Sequence, residues 1–227
     1  MASSPNPDGS SPNTIPFSRE PSSQPLSRAA KLLLDLTGAV SLLLVLSPLL
    51  AAIAVLVKLD GGPVFYAHPR VGAGKRRFRC FKFRSMRQDS DAMLEHLLRT
   101  DAAAASEWGA TRKLRNDPRI TRIGALLRQT SLDELPQLFN VLRLEMSLVG
   151  PRPIVDSEIE RYGENIACYY ATRPGLTGLW QVNGRSSTTY RRRVQLDTWY
   201  VEHWTLWRDI VILARTVPAV LRRTGAA

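Results

Sequence analysis

The sequence predicts an α+β fold, mostly helical, on a chain that associates with a membrane. Three observations predict it. Residues 32–57 form one long apolar run, enough to enter or cross a bilayer as a helix. Beyond that run, apolar residues recur mainly at helical spacing, and strand-like stretches are short, at 64–66 and 78–83. The net charge is +11, and all of the excess lies in residues 31–227, because Asp8, Arg19, Glu20 and Arg28 cancel. With 227 residues, the chain is long enough for one ordinary domain with a real core.

Residues 1–28 are rich in Ser, Pro and Asn and have almost no apolar periodicity, so a disordered tail is expected there. No apolar stretch with a small-residue cleavage site opens the chain, which argues against a signal peptide. The apolar run falls within a membrane segment at 29–60. Ser47-Pro48 interrupts it, and proline removes a backbone donor and crowds the preceding turn, so a bend is expected. Positive charge flanks both ends, with Arg28 and Lys31 before and Lys58 and Arg70 to Arg79 after. Charge bias therefore selects no orientation for a span. A re-entrant helix that returns to the face it entered satisfies both ends, while a kinked transmembrane helix is the equal alternative on composition. Lys31 and Asp35 lie one helical turn apart and can pair.

Residues 61–227 form the expected water-facing domain. Gly61-Gly62-Pro63 ends the membrane helix, and the two short strands flank a turn at Gly72-Ala73-Gly74. If 78–83 is a strand, Lys82 and Arg84 share a face opposite Phe81 and Phe83. A charged, alanine-rich helix is expected over 89–105, a turn at Asn116-Asp117-Pro118-Arg119, and a helix from Thr121 carrying Arg122 and Arg128. Residues 156–171 read as one helix ending at Arg173-Pro174-Gly175. The irregular stretch 176–185 suits the lining of a nucleotide pocket, with Gln181 and Arg185 as candidate contacts. Helices follow over 190–202 and 204–221. The last carries Trp204, Trp207, Ile210, Val211 and Ala214 along one face, which suits either a membrane interface or core packing.

The densest stretch of candidate chemistry is residues 130–153. Ser131 followed by Glu134 has capping-box spacing, and Leu135, Leu138, Phe139 and Leu142 predict the buried face of the helix they would open. Asp133 would then lie in the first turn, where free N–H groups and the helix dipole keep a carboxylate ionised and draw phosphate near. Gly150-Pro151-Arg152-Pro153 holds an arginine between two prolines, a rigid forked donor suited to phosphate. A carboxylate pair with such an arginine points to phosphoryl chemistry with a divalent metal. A helix-stabilising role is the commoner reason for acidic residues in a first turn.

At these residues the chain resembles the monotopic polyprenyl-phosphate phosphoglycosyl transferases, the bacterial sugar transferases that start exopolysaccharide and O-antigen repeat units. The resemblance rests on Ser131-Leu132-Asp133-Glu134-Leu135-Pro136-Gln137 and on Met146-Ser147-Leu148-Val149-Gly150-Pro151-Arg152-Pro153. It continues in Lys82-Phe83-Arg84-Ser85-Met86 and Arg173-Pro174-Gly175-Leu176-Thr177-Gly178, in the family's order from about Lys31 onward. It implies a re-entrant helical hairpin broken at Ser47 and Pro48, holding a small catalytic domain on the cytoplasmic face of the bacterial inner membrane. It implies a UDP-sugar donor, an undecaprenyl phosphate acceptor, Mg²⁺ held by Asp133 and Glu134, and a covalent phosphosugar intermediate on Asp133; for Glu134 a base or an orienting residue is the alternative to a metal ligand. Galactose or glucose is the sugar expected. It makes Lys82, Arg84, Arg128 and Arg152 phosphate or substrate contacts; for Arg128 a structural salt bridge remains a rival. The departure is Leu32, which stands where the family carries a second basic residue.

A strongly basic domain also suits nucleic acid, but no zinc-finger or RNP-type signature accompanies it. Cys80 and Cys168, and His68, His96 and His203, have no metal-ligand or redox spacing. The alternative from another class is a non-catalytic membrane-bound scaffold of polysaccharide assembly, against which the intact Asp133-Glu134 pair argues.

Overall fold

The computed structural model describes residues 25–111, 113–184 and 188–221. Helix α1 (Pro25–Leu59) contains the whole apolar run. At about 1.5 Å per residue its 35 residues extend ~50 Å. It begins inside the stretch expected to be a disordered tail: residues 25–28 are its first turn, opened by a proline, which is preorganised for that position. Residues 1–24 lie outside the described residues. The helix is one element through Ser47-Pro48 rather than two helices joined by a turn. Pro48 has no N–H for the carbonyl of Leu44, and the Ser47 hydroxyl donates to that oxygen instead, at 2.8 Å.

The two halves of α1 pack on the same domain. Ala39 and Leu43 meet Leu138, Met146 and Leu148, whereas Ile53 and Val57 meet Phe83 and Leu127. Between them Leu44 and Val45 are 70 % and 75 % exposed. Among the described residues α1 is the helix long and apolar enough to cross a membrane.

Strands β1 (Phe65–Val71) and β2 (Arg77–Phe83) form an antiparallel ribbon in which Phe65 faces Phe83 and Val71 faces Arg77. β1 runs five residues past the expected 64–66. His68-Pro69-Arg70 carries no apolar alternation, yet the ladder with β2 continues through it. The helix expected over 89–105 is two, α2 (Ser90–Thr100) and α3 (Ala102–Thr111). Asp101 leaves the helical path, and its Oδ1 accepts from the N–H groups of Ala103 and Ala104, capping α3. Helix α4 (Arg122–Thr130) is capped by Thr121, whose hydroxyl oxygen accepts from the Gly124 N–H at 2.9 Å.

Helix α5 (Gln137–Leu142) leads to β3 (Ser147–Val149), α6 (Ile159–Tyr162) and α7 (Ile166–Tyr170). The single helix expected over 156–171 is broken because Gly163 has φ +53°, which a continuous helix excludes. Strand β4 (Gly175–Thr177) pairs in parallel with β3, and α8 (Leu179–Val182), α9 (Tyr190–Glu202) and α10 (Leu206–Leu221) complete the chain. The core centres on β3 and α5, where Leu138, Val141, Met146 and Leu148 meet Tyr200 and Ile212. On α10, Trp207, Ile210, Val211 and Val217 are exposed. Trp204 is not part of that exposed face: its indole N–H donates inward to Asp209.

A buried polar network clips α1 to this core. The Lys31 ammonium donates to Asp209 at 2.7 Å and to the Val149 carbonyl at 3.1 Å, and stands 4.0 Å from Asp35. Asp209 also accepts from the Tyr200 hydroxyl at 2.7 Å. Asp35, fully buried, accepts from Ser147 Oγ, the Leu148 N–H and the Arg173 guanidinium. Each charge has a partner, so removing one side leaves the other buried and uncompensated. Asp209→Ala is expected to lower stability by about 3–5 kcal/mol, read as a fall in the thermal midpoint. An unchanged midpoint would mean that the network does not hold α1 in place.

Candidate active site

The carboxylate pair sits between two helices rather than inside one. Ser131 ends α4 in the left-handed region (φ +59°, ψ +15°), and its side chain makes no cap bond, so the capping box expected with Glu134 does not form. Residues Leu132–Glu134 make one 3-10 turn, and α5 begins only after Pro136. The inward face of α5 is Leu138 and Val141, whereas Phe139 is 44 % exposed. Leu132 packs toward Phe83 and Leu127, which turns the next two side chains into a cleft beside β2.

In that cleft the Lys82 ammonium lies 2.7 Å from Glu134 Oε1 and 3.4 Å from Asp133 Oδ2. The Arg152 guanidinium reaches the same Glu134 oxygen at 3.1 Å. The two adjacent acids have opposite electrostatic fates. Burial pushes the Asp133 carboxyl above the usual carboxylate range, and the neighbouring Glu134 adds to this against the pull of Lys82 and Arg128. Burial acts on Glu134 too, but Arg152 and Lys82 outweigh it and hold Glu134 well below that range. Cys80 lines the same cleft, and burial pushes its thiol up to about 11, so it is a neutral thiol rather than a thiolate nucleophile.

Arg152 is held by backbone. Gly150 N–H donates to Thr177 O at 2.9 Å and Gly175 N–H to Pro151 O at 2.8 Å, continuing the β3–β4 pairing into Gly150-Pro151-Arg152-Pro153. A Cβ on Gly150 would stand 2.6 Å from the Arg173 carbonyl oxygen, and one on Gly175 would overlap the backbone of Gly150 and Thr177. The two Gly-Pro-containing segments therefore form one unit, which side chains at these positions would force apart.

The structure brings together Asp133, Glu134, Lys82 and Arg152. Arg84 is elsewhere: it is buried, and its guanidinium donates to the carbonyls of Pro63 and Val57 at the end of α1, so it does not share the cleft with Lys82. The strand ends at Phe83, and the alternation that would have set Arg84 beside Lys82 ends with it. Arg128 acts on Asp133 through its charge, while its Nε donates to Ser85 Oγ at 2.9 Å. Gln181 is buried on α8, next to Trp180, over whose ring the guanidinium groups of Arg152 and Arg193 lie at 5.9 and 5.1 Å. Arg185 lies outside the described residues.

Sequence reasoning missed Arg70 and Arg193. Arg70 lines the cleft, donates to Pro153 O at 3.2 Å, and is held below its ordinary pKa by burial and by the like charge of Arg152. Arg193 donates to Arg152 O and to Glu158, bracing the motif from behind. Both act across 35 residues or more, and no local pattern marks them.

The family model described as bacterial sugar transferase matches residues 26–223. The chain belongs to that family. It is 53 % identical over 200 residues to the UDP-galactose-lipid carrier transferase of Erwinia amylovora, covering 88 % of this chain and 42 % of that protein. It is 52 % identical over 200 residues to the undecaprenyl-phosphate galactose phosphotransferase of Salmonella typhimurium, with the same coverage of 88 % and 42 %. Against the exopolysaccharide production protein ExoY of Rhizobium meliloti the identity is 50 % over 204 residues, covering 89 % of this chain and 90 % of the relative. The chain thus spans less than half of the first two relatives and most of the third.

Among the described residues no third His, Cys, Asp or Glu joins Asp133 and Glu134 to make a ready cation site. Two adjacent carboxylates are oxygen donors of the kind that Mg²⁺ takes together with a diphosphate, so Asp133 and Glu134 would fit the ion in that role. Lys82, which touches both acids, would have to give way.

The opposite shifts predict opposite stabilities. Asp133, with its folded pKa raised, contributes stability below its unfolded pKa that is lost as pH rises through the folded one. Glu134, with its folded pKa lowered, contributes stability above its unfolded pKa that is lost as pH falls through the folded one. At pH 7, Asp133→Asn is expected to melt at or above the parent temperature and Glu134→Gln below it. The reverse order in a thermal melt would refute the assignment of the two environments.

Proposed function

We propose that the protein is a phosphoglycosyl transferase. It moves a sugar 1-phosphate from a UDP-sugar to undecaprenyl phosphate, giving undecaprenyl diphosphate-sugar and UMP, as the first membrane step of exopolysaccharide repeat-unit assembly. The observation that carries the reading is the unequal pair. Asp133 is a buried carboxylate of raised pKa with partial charge compensation, beside a Glu134 that binds two cations. The names of relatives at 52–53 % identity support galactose ahead of glucose as the sugar.

In this mechanism an Asp133 oxygen attacks the β-phosphorus. The bond from that phosphorus to the bridging oxygen breaks, and UMP leaves with the electron pair. A terminal oxygen of the lipid phosphate then attacks the same phosphorus, and the Asp133–phosphorus bond breaks to restore the carboxylate. Charge neutralisation is the main demand of phosphoryl transfer, and Lys82, Arg152 and Arg70 supply it. The cleft they line encloses only about 10 Å³, so Lys82 and Arg152 must leave Glu134 for the diphosphate as it enters. Glu134 thus acts as their resident counter-ion rather than as a base. Mg²⁺ held by Asp133 and Glu134 would add neutralising charge on the diphosphate.

The same reading places the domain on the cytoplasmic face of the bacterial inner membrane, with α1 re-entrant. Its support is the packing of both α1 halves on one domain, the exposed apolar middle at Ser47-Pro48, and the exposed apolar face of α10.

UMP release from a panel of UDP-sugars, with undecaprenyl phosphate vesicles, tests the reaction. One donor is expected to react, and Asp133→Asn is expected to abolish turnover while remaining folded. A donor labelled in the sugar is expected to label the parent protein without acceptor, but not Asp133→Asn. Labelling of both, or normal turnover in Asp133→Asn, would remove Asp133 as nucleophile. Because Lys82 lowers the Asp133 pKa, Lys82→Met is expected to move the acid limb of the pH–rate profile upward. A limb that stays in place or moves down would separate Lys82 from Asp133.

A further inference from the structure

Beside the carboxylate cleft lies a second, larger concavity of about 440 Å³. Phe65, Phe81, Pro136, Phe139, Leu142 and Arg143 line it. Phe65 and Phe139 are 48 % and 44 % exposed, an open aromatic wall where burial is the rule for such side chains. Apart from Arg143 the lining offers no polar side chain to recognise a sugar's hydroxyl groups, so the pocket suits an apolar occupant.

Its position narrows that occupant. Pro136 follows Asp133 by three residues, so their Cα atoms are at most about 11 Å apart. Phe81 directly precedes Lys82, whose ammonium touches both catalytic-site carboxylates. Helix α5, which carries Phe139 and Leu142, packs Leu138 in one cluster with Ala39 and Leu43 of the apolar helix α1. The pocket therefore lies close in the chain to the reacting carboxylate, and its α5 wall belongs to a helix that packs on the apolar helix α1. Its one charged lining residue among those described is Arg143, whose guanidinium lies 5.4 Å from the centre of the Phe81 ring. An apolar chain with an anionic head matches that distribution.

We infer that this pocket holds the first isoprene units of the polyprenyl phosphate acceptor, with its phosphate directed toward Asp133. The inference rests on the transfer reaction proposed above and names the acceptor's seat in it. Methyl-branched isoprene units offer the bulky apolar surface that phenyl rings pack against. Seating them fixes the phosphate near its target, which is how binding remote from the reacting atoms serves the transfer step.

The experiment separates the two half-reactions in the full chain, reconstituted in vesicles. The first is the burst of UMP on loading Asp133 without acceptor. The second is transfer to polyprenyl phosphates of increasing chain length. The acceptor KM of the parent protein is expected to fall with each added isoprene until the pocket is filled and then to level off. Phe139→Ser, at a half-exposed position, is expected to keep the burst and to raise the KM of long acceptors about tenfold. It should also flatten the dependence on chain length. An equal effect on acceptors of every length, no effect, or a parallel loss of binding to acceptor-free vesicles would overturn the pocket. Absence of a burst in the parent protein would overturn the transfer reaction itself, whatever the pocket holds.

Discussion

The fold depends on two buried aspartates that tie the long apolar helix to the backbone of the candidate site. Asp209 gathers Lys31, Tyr200 and Trp204, and Asp35 gathers Ser147, Leu148 and Arg173. Lys31 and Tyr200 also converge on the carbonyl of Val149, the residue before Gly150-Pro151-Arg152-Pro153. The position of Arg152 is thus referenced to α1 through a few hydrogen bonds. Charges buried this deeply are tolerable only when each has its partner, and here the partners come from four separate parts of the chain. A domain that works at a bilayer surface needs its site at a set height above the lipid. This network is the physical means by which α1 can set it.

Within the site, one arrangement of charge assigns two roles to neighbouring residues of similar chemistry. Glu134 faces Lys82 and Arg152 directly, whereas Asp133 shares Lys82 at the longer distance and is the more deeply enclosed of the two. The 3-10 turn makes this division possible. It sets the two side chains at an angle that a regular helix beginning at Ser131 would not give, and the left-handed Ser131 starts it.

Much of this was legible in the sequence. The apolar run, the β1–β2 ribbon, α9 and the motif around Asp133 follow from local pattern, and the family assignment from those motifs agrees with the family match over residues 26–223. What pattern could not supply is whatever depends on distant partners. The spacing of Ser131 and Glu134 fits a cap, but Pro136 delays the helix and Lys82 and Arg152 hold Glu134 instead. Arg84 looks like Lys82 in a strand, yet the end of the ladder turns it to the carbonyls of Val57 in α1 and of Pro63 just after it. Arg70 looks like one more basic flanking residue until Pro153 is folded against it. Asp101 and Gly163 split two expected helices by local chemistry that was visible in the sequence but outweighed by the surrounding helical pattern.

The hydrogen bond from Ser47 to the Leu44 carbonyl has an evolutionary consequence. Proline alone would leave a naked carbonyl in hydrocarbon, and a hydroxyl one position earlier covers it. In the proposed re-entrant arrangement, these two residues act together with the buried contacts that both halves of α1 make with the domain. With both replaced by aliphatic side chains, the same 35 residues would satisfy every requirement of a straight span. On the proposed reading, selection on Ser47 and Pro48 would act on which side of the bilayer the rest of the chain inhabits, and so at a distance from the carboxylate pair.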